Sequence, residues 1–252
     1  MAVETGITLY RKPHNGPSEA SVTTAMRILD LQFEVRIVDV SKEDHLQDWY
    51  RKINPNSLEC NDSFPVITDT LPNGEIVTLF DTGTILEYLA DRYDSESRIK
   101  PRDCCLKSDL KIMSWLYWSL GQFAPLLEQV LRYDAEDEID SSGIRSEDYV
   151  PRYQQIADYL ANQSRRHFRI LDDLLKSHAC MLGDRPTIAD IACFPWASLP
   201  MSTKMKAGNL LEEFPNVHRW VKNMSIWASI VNGTKTGQLD AICAAYSDMR
   251  IT

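Results

Sequence analysis

The stretch Pro186-Thr187-Ile188-Ala189-Asp190-Ile191-Ala192 decides the fold of this 252-residue chain. Thr187 and Asp190 have the spacing of a capping box, in which the threonine oxygen accepts from the amide three residues on and the carboxylate reaches back to the amide of Thr187. The following residues are largely apolar as far as Trp196. A helix that is apolar almost all round is buried, and the free amides at a buried helix start must be capped from within. The stretch therefore predicts a central, buried helix over 187–199.

The chain changes character near residue 95. Before this point, short strand-like runs alternate with helical stretches. Predicted strands cover 7–10, 33–40, 65–68 and 76–80, and predicted helices cover 17–30, 43–53 and 82–93. This order of elements indicates an α/β, thioredoxin-like domain with a mixed sheet.

The second half of the chain contains no convincing strand. A polar segment, 94–102, reads as a linker, and the predicted helices beyond it cover 103–132, 149–176, 187–199, 214–230 and 235–247. The acidic stretch 134–143 is predicted to be a solvated loop. The expected organisation is a thioredoxin-like domain over 1–93, a linker over 94–102 and an all-α domain over 103–252.

Composition excludes several classes of function. The net charge is −9, whereas binding of nucleic acid or of an anionic membrane needs clustered Lys and Arg. No apolar run approaches the roughly 18 residues of a membrane span. We therefore expect neither a nucleic-acid partner nor a membrane.

The cellular compartment is predicted from the N-terminus and the cysteines. The first residues lack the basic region and apolar core of a signal peptide. Six cysteines in a chain of this length then read as reduced thiols, so we expect a cytoplasmic protein. No Cys/His cluster has metal-ligand spacing, so no metal is expected.

Several segments resemble cytosolic glutathione transferases, in the same order along the chain. They are Asn54-Pro55-Asn56, Phe64-Pro65-Val66-Ile67, the run 80–89, the run 115–125 and Phe214-Pro215-Asn216-Val217-His218-Arg219-Trp220. The similarity is to the fungal and bacterial branch with nitrogen-regulator-like and disulfide-bond-oxidoreductase-like members. The resemblance implies the two-domain glutathione transferase fold, glutathione as co-substrate and a two-fold homodimer.

The resemblance assigns a peptide site to Phe64, Pro65, Asp81 and Thr82. The backbone of Phe64 pairs with glutathione like an added strand, and a cis bond before Pro65 exposes that backbone. Asp81 meets the γ-glutamyl amine, and Thr82 lies at a helix start that attracts the carboxylate. An ordinary strand-start proline and a plain helix cap are the alternative interpretations.

Activation of the thiol is assigned to Ser18 or Asn15. When the chain is aligned with this branch without gaps, Ser18 takes the position of the thiol-contacting asparagine. Asn15 takes that role if the loop is aligned differently. A solvated first-turn hydroxyl is the structural alternative for Ser18. Tyr10, at the end of the first strand, lies deeper and is counted with the substrate pocket. Since this loop has no cysteine, the cysteine-based deglutathionylating classes are disfavoured.

The second substrate is expected to be an apolar or aromatic electrophile facing the helical domain. Trp118, Gln122 and Phe123 are the predicted lining, with core packing of a long helix as the alternative. Trp115 and Trp196 are assigned to the core.

Three positions depart from the family pattern. The segment 57–63 is longer and more acidic than the corresponding family loop, which usually carries a cation for the glycyl carboxylate. Asp81-Thr82 replaces Glu-Ser, so the carboxylate lies about one methylene further back. Glu19 falls beside the thiol position, where its charge would raise the pKa of a neighbouring thiol.

Three functions are therefore compared. The first is conjugation of glutathione to an electrophilic small molecule. The second is a repurposed enzyme of secondary metabolism that catalyses an isomerisation, elimination or cyclisation, perhaps without glutathione and with Glu19 as base. The third is a non-catalytic binding or regulatory module, because fold does not determine function.

Overall fold

A mixed four-stranded sheet forms the first half of the protein. The computed structural model describes residues 3–13, 15–58, 64–101, 106–139, 149–202 and 210–232. The strands are β1 (Val3–Arg11), β2 (Leu31–Ile37), β3 (Val66–Thr70) and β4 (Ile76–Phe80), in the order β2-β1-β3-β4. β1 runs parallel to β2 and antiparallel to β3, and β3 pairs antiparallel with β4.

Helices flank this sheet. They are α1 (Pro17–Ile28), α2 (Asp48–Ile53) and α3 (Thr82–Tyr93). The predicted helix over 43–53 is shorter than expected, because two 3₁₀ turns, Val40–Lys42 and Asp44–Leu46, precede α2. Between these turns Glu43 has a left-handed backbone (φ 60°), which prevents one continuous helix.

The second half of the described chain is predominantly helical. Its helices are α4 (Leu106–Trp118), α5 (Ala124–Ile139), α6 (Tyr149–Leu175), α7 (Ile188–Ser202), α8 (Leu210–Glu213) and α9 (Pro215–Asn232). A π-helical turn, Ser119–Phe123, joins α4 to α5, so the single helix expected over 103–132 contains an irregular turn. Pro125 has no backbone N–H to donate to the regular pattern of helical hydrogen bonds, which is consistent with a local change of winding here.

The loop predicted over 134–143 is wrong for its first part, because α5 continues to Ile139. Alanine and glutamate are good helix formers, so a run of acidic residues need not end a helix. The rest of this stretch, the predicted helix 235–247 and the cysteines at 104 and 105 lie outside the described residues.

The central buried helix is confirmed. All residues from Thr187 to Leu199 are buried, and α1 and α4 both pack against α7. The main core continues from the sheet half into the helical half, so apolar residues of α1, α3, α4, α6, α7 and α9 belong to one cluster. This shared core holds the two halves against each other beside the site described next.

Asp190 caps α7 as the sequence predicts, and its carboxylate also connects two other segments. One oxygen accepts from the amide and hydroxyl of Thr187, at 2.9 and 3.1 Å. The other accepts from the amide of Met181 at 2.8 Å and the indole N–H of Trp220 at 3.1 Å. A fully buried carboxylate with four donors thus ties the start of α7 to α9 and to the preceding loop.

None of the helices in the described ranges is both long and apolar enough to cross a membrane.

Candidate functional site

An open cleft lies between the sheet half and the helical half. Its described lining comes from the start of α1, the turn after α2, the segments flanking β3 and β4, and the helical wall. The lining residues are Ser18, Asn54, Asn56, Phe64, Phe80, Asp81, Thr82, Leu120, Ala124, Pro125, Glu128 and Trp196. Four predicted site residues, Ser18, Phe64, Asp81 and Thr82, therefore meet in one cleft.

Asp81 occupies the most unusual backbone position in the cleft. Its backbone dihedral angles are φ 72° and ψ 132°, a combination that residues other than glycine rarely adopt. Its carboxylate accepts from the amide of Gly83 at 2.9 Å and so caps α3. Asp81 is nevertheless exposed. Strained residues persist where the surrounding structure enforces them, and they are concentrated at functional sites.

The close approach of α3 to the helical wall sets the width of the cleft. A Cβ atom on Gly83 would lie only 2.9 Å from Cδ1 of Leu120, in the π-helical turn. Because Gly83 has no Cβ, the start of α3 comes this near without displacing the end of the Leu120 side chain.

Phe64 and Pro65 stand immediately before β3, and the peptide bond between them is cis, as predicted. The paired part of the sheet begins at Val66, opposite Tyr10 and Phe80, so the backbone at Phe64 lies beyond the ladder. The Phe64 ring is buried and stacks on Tyr50 with 5.5 Å between centroids. This packing fixes the strand-edge backbone at the wall of the cleft.

The Asn54-Pro55-Asn56 segment contributes to the same wall. Asn54 is fully buried, and its side-chain oxygen accepts from the amide of Asn56 at 3.1 Å. This Asx-type bond starts the 3₁₀ turn Pro55–Leu58. Asn54 and Asn56 were not predicted to line the cleft, although a local turn motif next to a binding loop could have suggested it.

Ser18 is the thiol candidate that the structure places in the cleft. It is the second residue of α1, half-buried, at the positive end of the helix. Asn15 is not among the lining residues, and its side-chain oxygen is buried without a hydrogen-bond partner. The geometry therefore favours Ser18 over Asn15 as the donor to a ligand.

Glu19 points away from the lining although it follows Ser18. Its side chain is 2% exposed, and the amides of Gly16 and of Glu19 itself bond to the carboxylate. Burial raises the pKa of this carboxyl group, and the positive charges of Lys12 and Arg11 act in the opposite direction. Because Glu19 does not line the cleft, the hypothesis that it acts as base on a ligand there loses its support.

The wall from the helical half consists of other residues than those expected from the sequence. The π-helical turn and the start of α5 bring Leu120, Ala124, Pro125 and Glu128 to the cleft. Trp196 is 6% exposed, as its assignment to the core requires, but it also lines the cleft, and its indole N–H has no hydrogen-bond partner. Neither Glu128 nor Trp196 was predicted to line the cleft, because the helical pattern alone cannot tell a core side chain from a wall side chain.

Four residues predicted for the substrate pocket lie outside this lining. Tyr10 packs with Trp49 and Tyr50 in an aromatic cluster beside β1. Phe123 is fully buried and stacks against Trp118 at 5.3 Å, which corresponds to the core-packing alternative. Gln122 is exposed. Only the neighbouring turns of the same helical segment reach the cleft.

The described residues hold no group of three or more His, Cys, Asp or Glu arranged to bind a metal. Cys180 and Cys193 are buried free thiols, and burial raises the pKa of each to about 12. Such thiols are poor nucleophiles at neutral pH, since the thiolate is the reactive form. The described lining of the cleft offers hydroxyl, amide, indole and carboxylate groups.

Comparisons with known proteins agree with this architecture. Residues 133–226 match the family model for the glutathione S-transferase C-terminal domain. The disulfide-bond oxidoreductase YfcG of Escherichia coli (strain K12) is 26% identical, with 85% of this chain and 87% of the relative covered. Protein URE2 of Candida maltosa is also 26% identical, over 87% of this chain and 70% of the relative.

A solved structure extends the similarity to both halves. A glutathione transferase family member from Pseudomonas fluorescens pf-5, crystallised with two glutathione molecules bound, superposes with a TM-score of 0.71. It is 26% identical to this chain, and the alignment covers 90% of this chain and 91% of that one. The sheet half, the helical half and their order thus correspond over nearly the whole length, so the chain has the glutathione transferase fold, with the family's C-terminal domain over residues 133–226.

Proposed function

We propose that this protein is a glutathione transferase that conjugates glutathione to an electrophilic small molecule. The observation that carries the proposal is the meeting of Ser18, Phe64, Asp81 and Thr82 in one cleft. These residues come from separate segments of the sheet half. Each has the chemistry that one part of glutathione requires.

The peptide part of glutathione fits the sheet side of this cleft. The carboxylate of Asp81 takes the γ-glutamyl amine, and the start of α3 at Thr82 favours the γ-glutamyl carboxylate. The backbone at Phe64 lies beyond the paired part of β3, where it pairs with the cysteinyl backbone like an added strand. These contacts position the thiol at the start of α1.

Ser18 acts on the thiol. A free cysteine thiol has a pKa of about 8.5, and the thiolate is the nucleophile. A hydroxyl donor together with the positive end of α1 stabilises the thiolate, and the cleft orients it toward the second substrate. The sulfur then forms a bond with the electrophilic carbon, and either a leaving group departs with its bonding electron pair or a π bond of the electrophile breaks. The former thiol proton goes to solvent in the first case and ends on the electrophile in the second.

Two measurements test this proposal. Calorimetric titration should detect glutathione binding in the micromolar to low-millimolar range. Ser18→Ala should lower turnover about 100-fold, the usual loss when one donor to developing negative charge is removed, with a much smaller change in glutathione affinity. Asn15→Ala is the control, since it removes the competing candidate. Full turnover in Ser18→Ala would refute the role of Ser18, and activity without glutathione would favour the repurposed enzyme.

A second candidate function is glutathione-dependent disulfide reduction. It is favoured by the similarity to the E. coli disulfide-bond oxidoreductase and to the P. fluorescens structure that binds two glutathione molecules. Two glutathione thiols would reduce one disulfide, giving two thiols and glutathione disulfide. Reduction of hydroxyethyl disulfide, followed by the glutathione disulfide formed, distinguishes this activity from conjugation.

Assembly, location and boundaries remain proposals as well. Large apolar side chains on β4 and α4 are exposed, with Ile76 at 62% and Leu106 at 71%, and they support a homodimer. Light scattering at micromolar concentration tests this state. We retain the cytoplasmic location and the division into 1–93, 94–102 and 103–252 as predictions, together with a role in secondary metabolism.

A further inference from the structure

The sheet has two edges, and the one formed by β2 is open. The strand order is β2-β1-β3-β4, so β2 pairs with another described strand only on its β1 side. Residues 34–37 are all exposed, with Val35 at 44% and Ile37 at 46%. Edge strands of natural proteins are commonly protected by Lys, Pro or a bulge, whereas Leu31–Ile37 contains neither Lys nor Pro. This edge is therefore available for pairing with another strand.

The ladder between β1 and β2 shows which backbone groups of β2 point outward. Just beyond β2, the amide of Val38 donates to the carbonyl of Arg11 at 2.9 Å, so residue 38 faces β1. Backbone groups alternate in direction along a strand, and those of residues 34 and 36 therefore also face β1. The N–H and C=O groups of residues 33, 35 and 37 consequently point to the free edge.

Two opposite charges alternate with the apolar residues of this edge. Glu34 and Arg36 are two positions apart, so their side chains lie on one face of the sheet. Phe33, Val35 and Ile37 lie on the other face. Glu34 and Arg36 are both exposed, and no ion pair joins either of them to another residue in the described ranges. Both charges are thus available to a strand that pairs with β2.

A second copy of the same edge fits in one antiparallel register. With a two-fold axis at Val35, each Val35 exchanges two backbone hydrogen bonds with its counterpart, and Phe33 exchanges two with Ile37 of the second copy. Glu34 then lies opposite Arg36 of the second copy, in the non-hydrogen-bonded pair, where side chains are closest. An axis at Glu34 or at Arg36 would instead place like charges opposite each other.

We propose that β2 is a self-association edge, at which two copies of this protein join their sheets antiparallel about Val35. The inference does not depend on the proposed function. It uses the edge opposite β4, so this contact is additional to the homodimer proposed through β4 and α4. A single strand edge buries little area, and the association is therefore expected to be weak and dependent on protein concentration.

Analytical ultracentrifugation at low salt tests the charge pairing. The mean mass of the wild-type protein should rise between about 1 and 100 μM. Glu34→Arg and Arg36→Glu each place like charges opposite each other, and each should weaken the association about tenfold. An equimolar mixture of these two variants should associate like the wild type, because every positive charge then faces a negative one. Glu212→Arg, an exposed charge reversal on α8, is the control and should associate like the wild type.

Three results of this experiment would overturn the inference. The first is a wild-type mass that does not change with concentration. The second is an unchanged rise in both single variants, which would assign the rise to another surface. The third is a mixture of the two variants that associates no better than either one alone.

Val35→Pro tests the backbone pairing. The amide of Val35 points to the free edge, so proline removes a donor from the new contact and none from the ladder with β1. This variant should lose the association while its urea unfolding midpoint stays close to that of the wild type. Wild-type association of Val35→Pro would contradict the proposed pairing.

Val35→Cys tests the register. In a hydrogen-bonded antiparallel pair the two Cα atoms are about 5.5 Å apart, within the range of a disulfide. Added diamide, which takes up the two protons and two electrons that the thiols lose, should link two copies through residue 35, as detected by peptide mass spectrometry. Ile37→Cys has similar exposure but faces Phe33 of the second copy, so it should not link to its counterpart. Equal linkage in the two variants would show random collision and overturn the register.

Discussion

The starts of α1 and α7 have the same arrangement, but only at α7 does each oxygen of the buried carboxylate have hydrogen-bond partners. In each, a buried carboxylate lies three residues after the helix cap, Glu19 after Gly16 and Asp190 after Thr187. In each, the cap carbonyl accepts the first helical bond at 3.0 Å. Asp190 accepts four hydrogen bonds, two on each oxygen, whereas one oxygen of Glu19 is buried without a partner.

The difference separates a structural cap from a cap beside a cleft. Asp190 joins α7 to α9 deep in the core, where an unpaired group would be costly. Glu19 follows Ser18 in the first turn of α1. Asn15, just before this helix, has another buried oxygen without a hydrogen-bond partner. Folded proteins tend to break packing rules at functional sites, and here the unpaired atoms surround the residue proposed to hold the thiol.

Removal of the complete cap should have the largest effect. Asp190→Ala leaves four donor groups, two of Thr187 and one each of Met181 and Trp220, without their acceptor, and we expect the free energy of unfolding to fall by about 3–5 kcal/mol. Urea unfolding measures this loss. Asp184→Ala, at an exposed position nearby, is the control and should cost less than about 0.5 kcal/mol. A loss below about 1 kcal/mol for Asp190→Ala would mean that the network is not structural.

Disturbance of the incomplete cap should cost less. In Gly16→Ala the new methyl group would lie 2.7 Å from a carboxylate oxygen of Glu19, so the carboxylate must leave the amide of Gly16. We expect a loss of about 1–2 kcal/mol, typical of a lost helix cap. In a Glu19→Ala background the same change should be nearly neutral, because the clash is gone. Additive losses in urea unfolding of the two single variants and the double variant would contradict this coupling.

The smallest effect concerns the charge of Glu19. Burial raises its pKa in the folded protein, so the folded state resists ionisation and wild-type stability falls as pH rises from the ordinary glutamate value, about 4.3, through the raised one. Glu19→Gln removes this charge, so its free energy of unfolding relative to that of the wild type should be higher at pH 8 than at pH 5. Thermal unfolding at both values checks this. The same difference at pH 5 and pH 8 would show that Glu19 keeps an ordinary pKa.

Short-range sequence patterns were good guides to local structure. The spacing of Thr187 and Asp190 predicted the buried cap, and the cis bond before Pro65 was expected. Such patterns succeed because caps, turns and peptide geometry depend on neighbours a few residues away. Element ends were less accurate, as the extension of α5 through acidic residues demonstrates.

The composition of the cleft depended on longer-range contacts. Ser18, Phe64, Asp81 and Thr82 could be proposed from motifs, since each lies at the end of an element. Trp118 and Phe123 instead pack against each other, because the π-helical turn rotates the residues that follow it and turns Leu120, Ala124 and Glu128 toward the cleft. A helical period read from sequence assumes regular winding, so it cannot foresee which face an irregular turn will present.

The sequence by itself determined the order of strands and helices, the capped central helix and the sheet-side residues of the cleft. These features follow from spacing within a few residues and from apolar periodicity. Only the tertiary structure decided that the Glu19 side chain is buried, that Trp196 joins the cleft with an unpaired N–H, and that Glu128 lines the same cleft as Asp81. Burial and partnership of a side chain are set by which distant elements pack around it, and no local pattern records that packing.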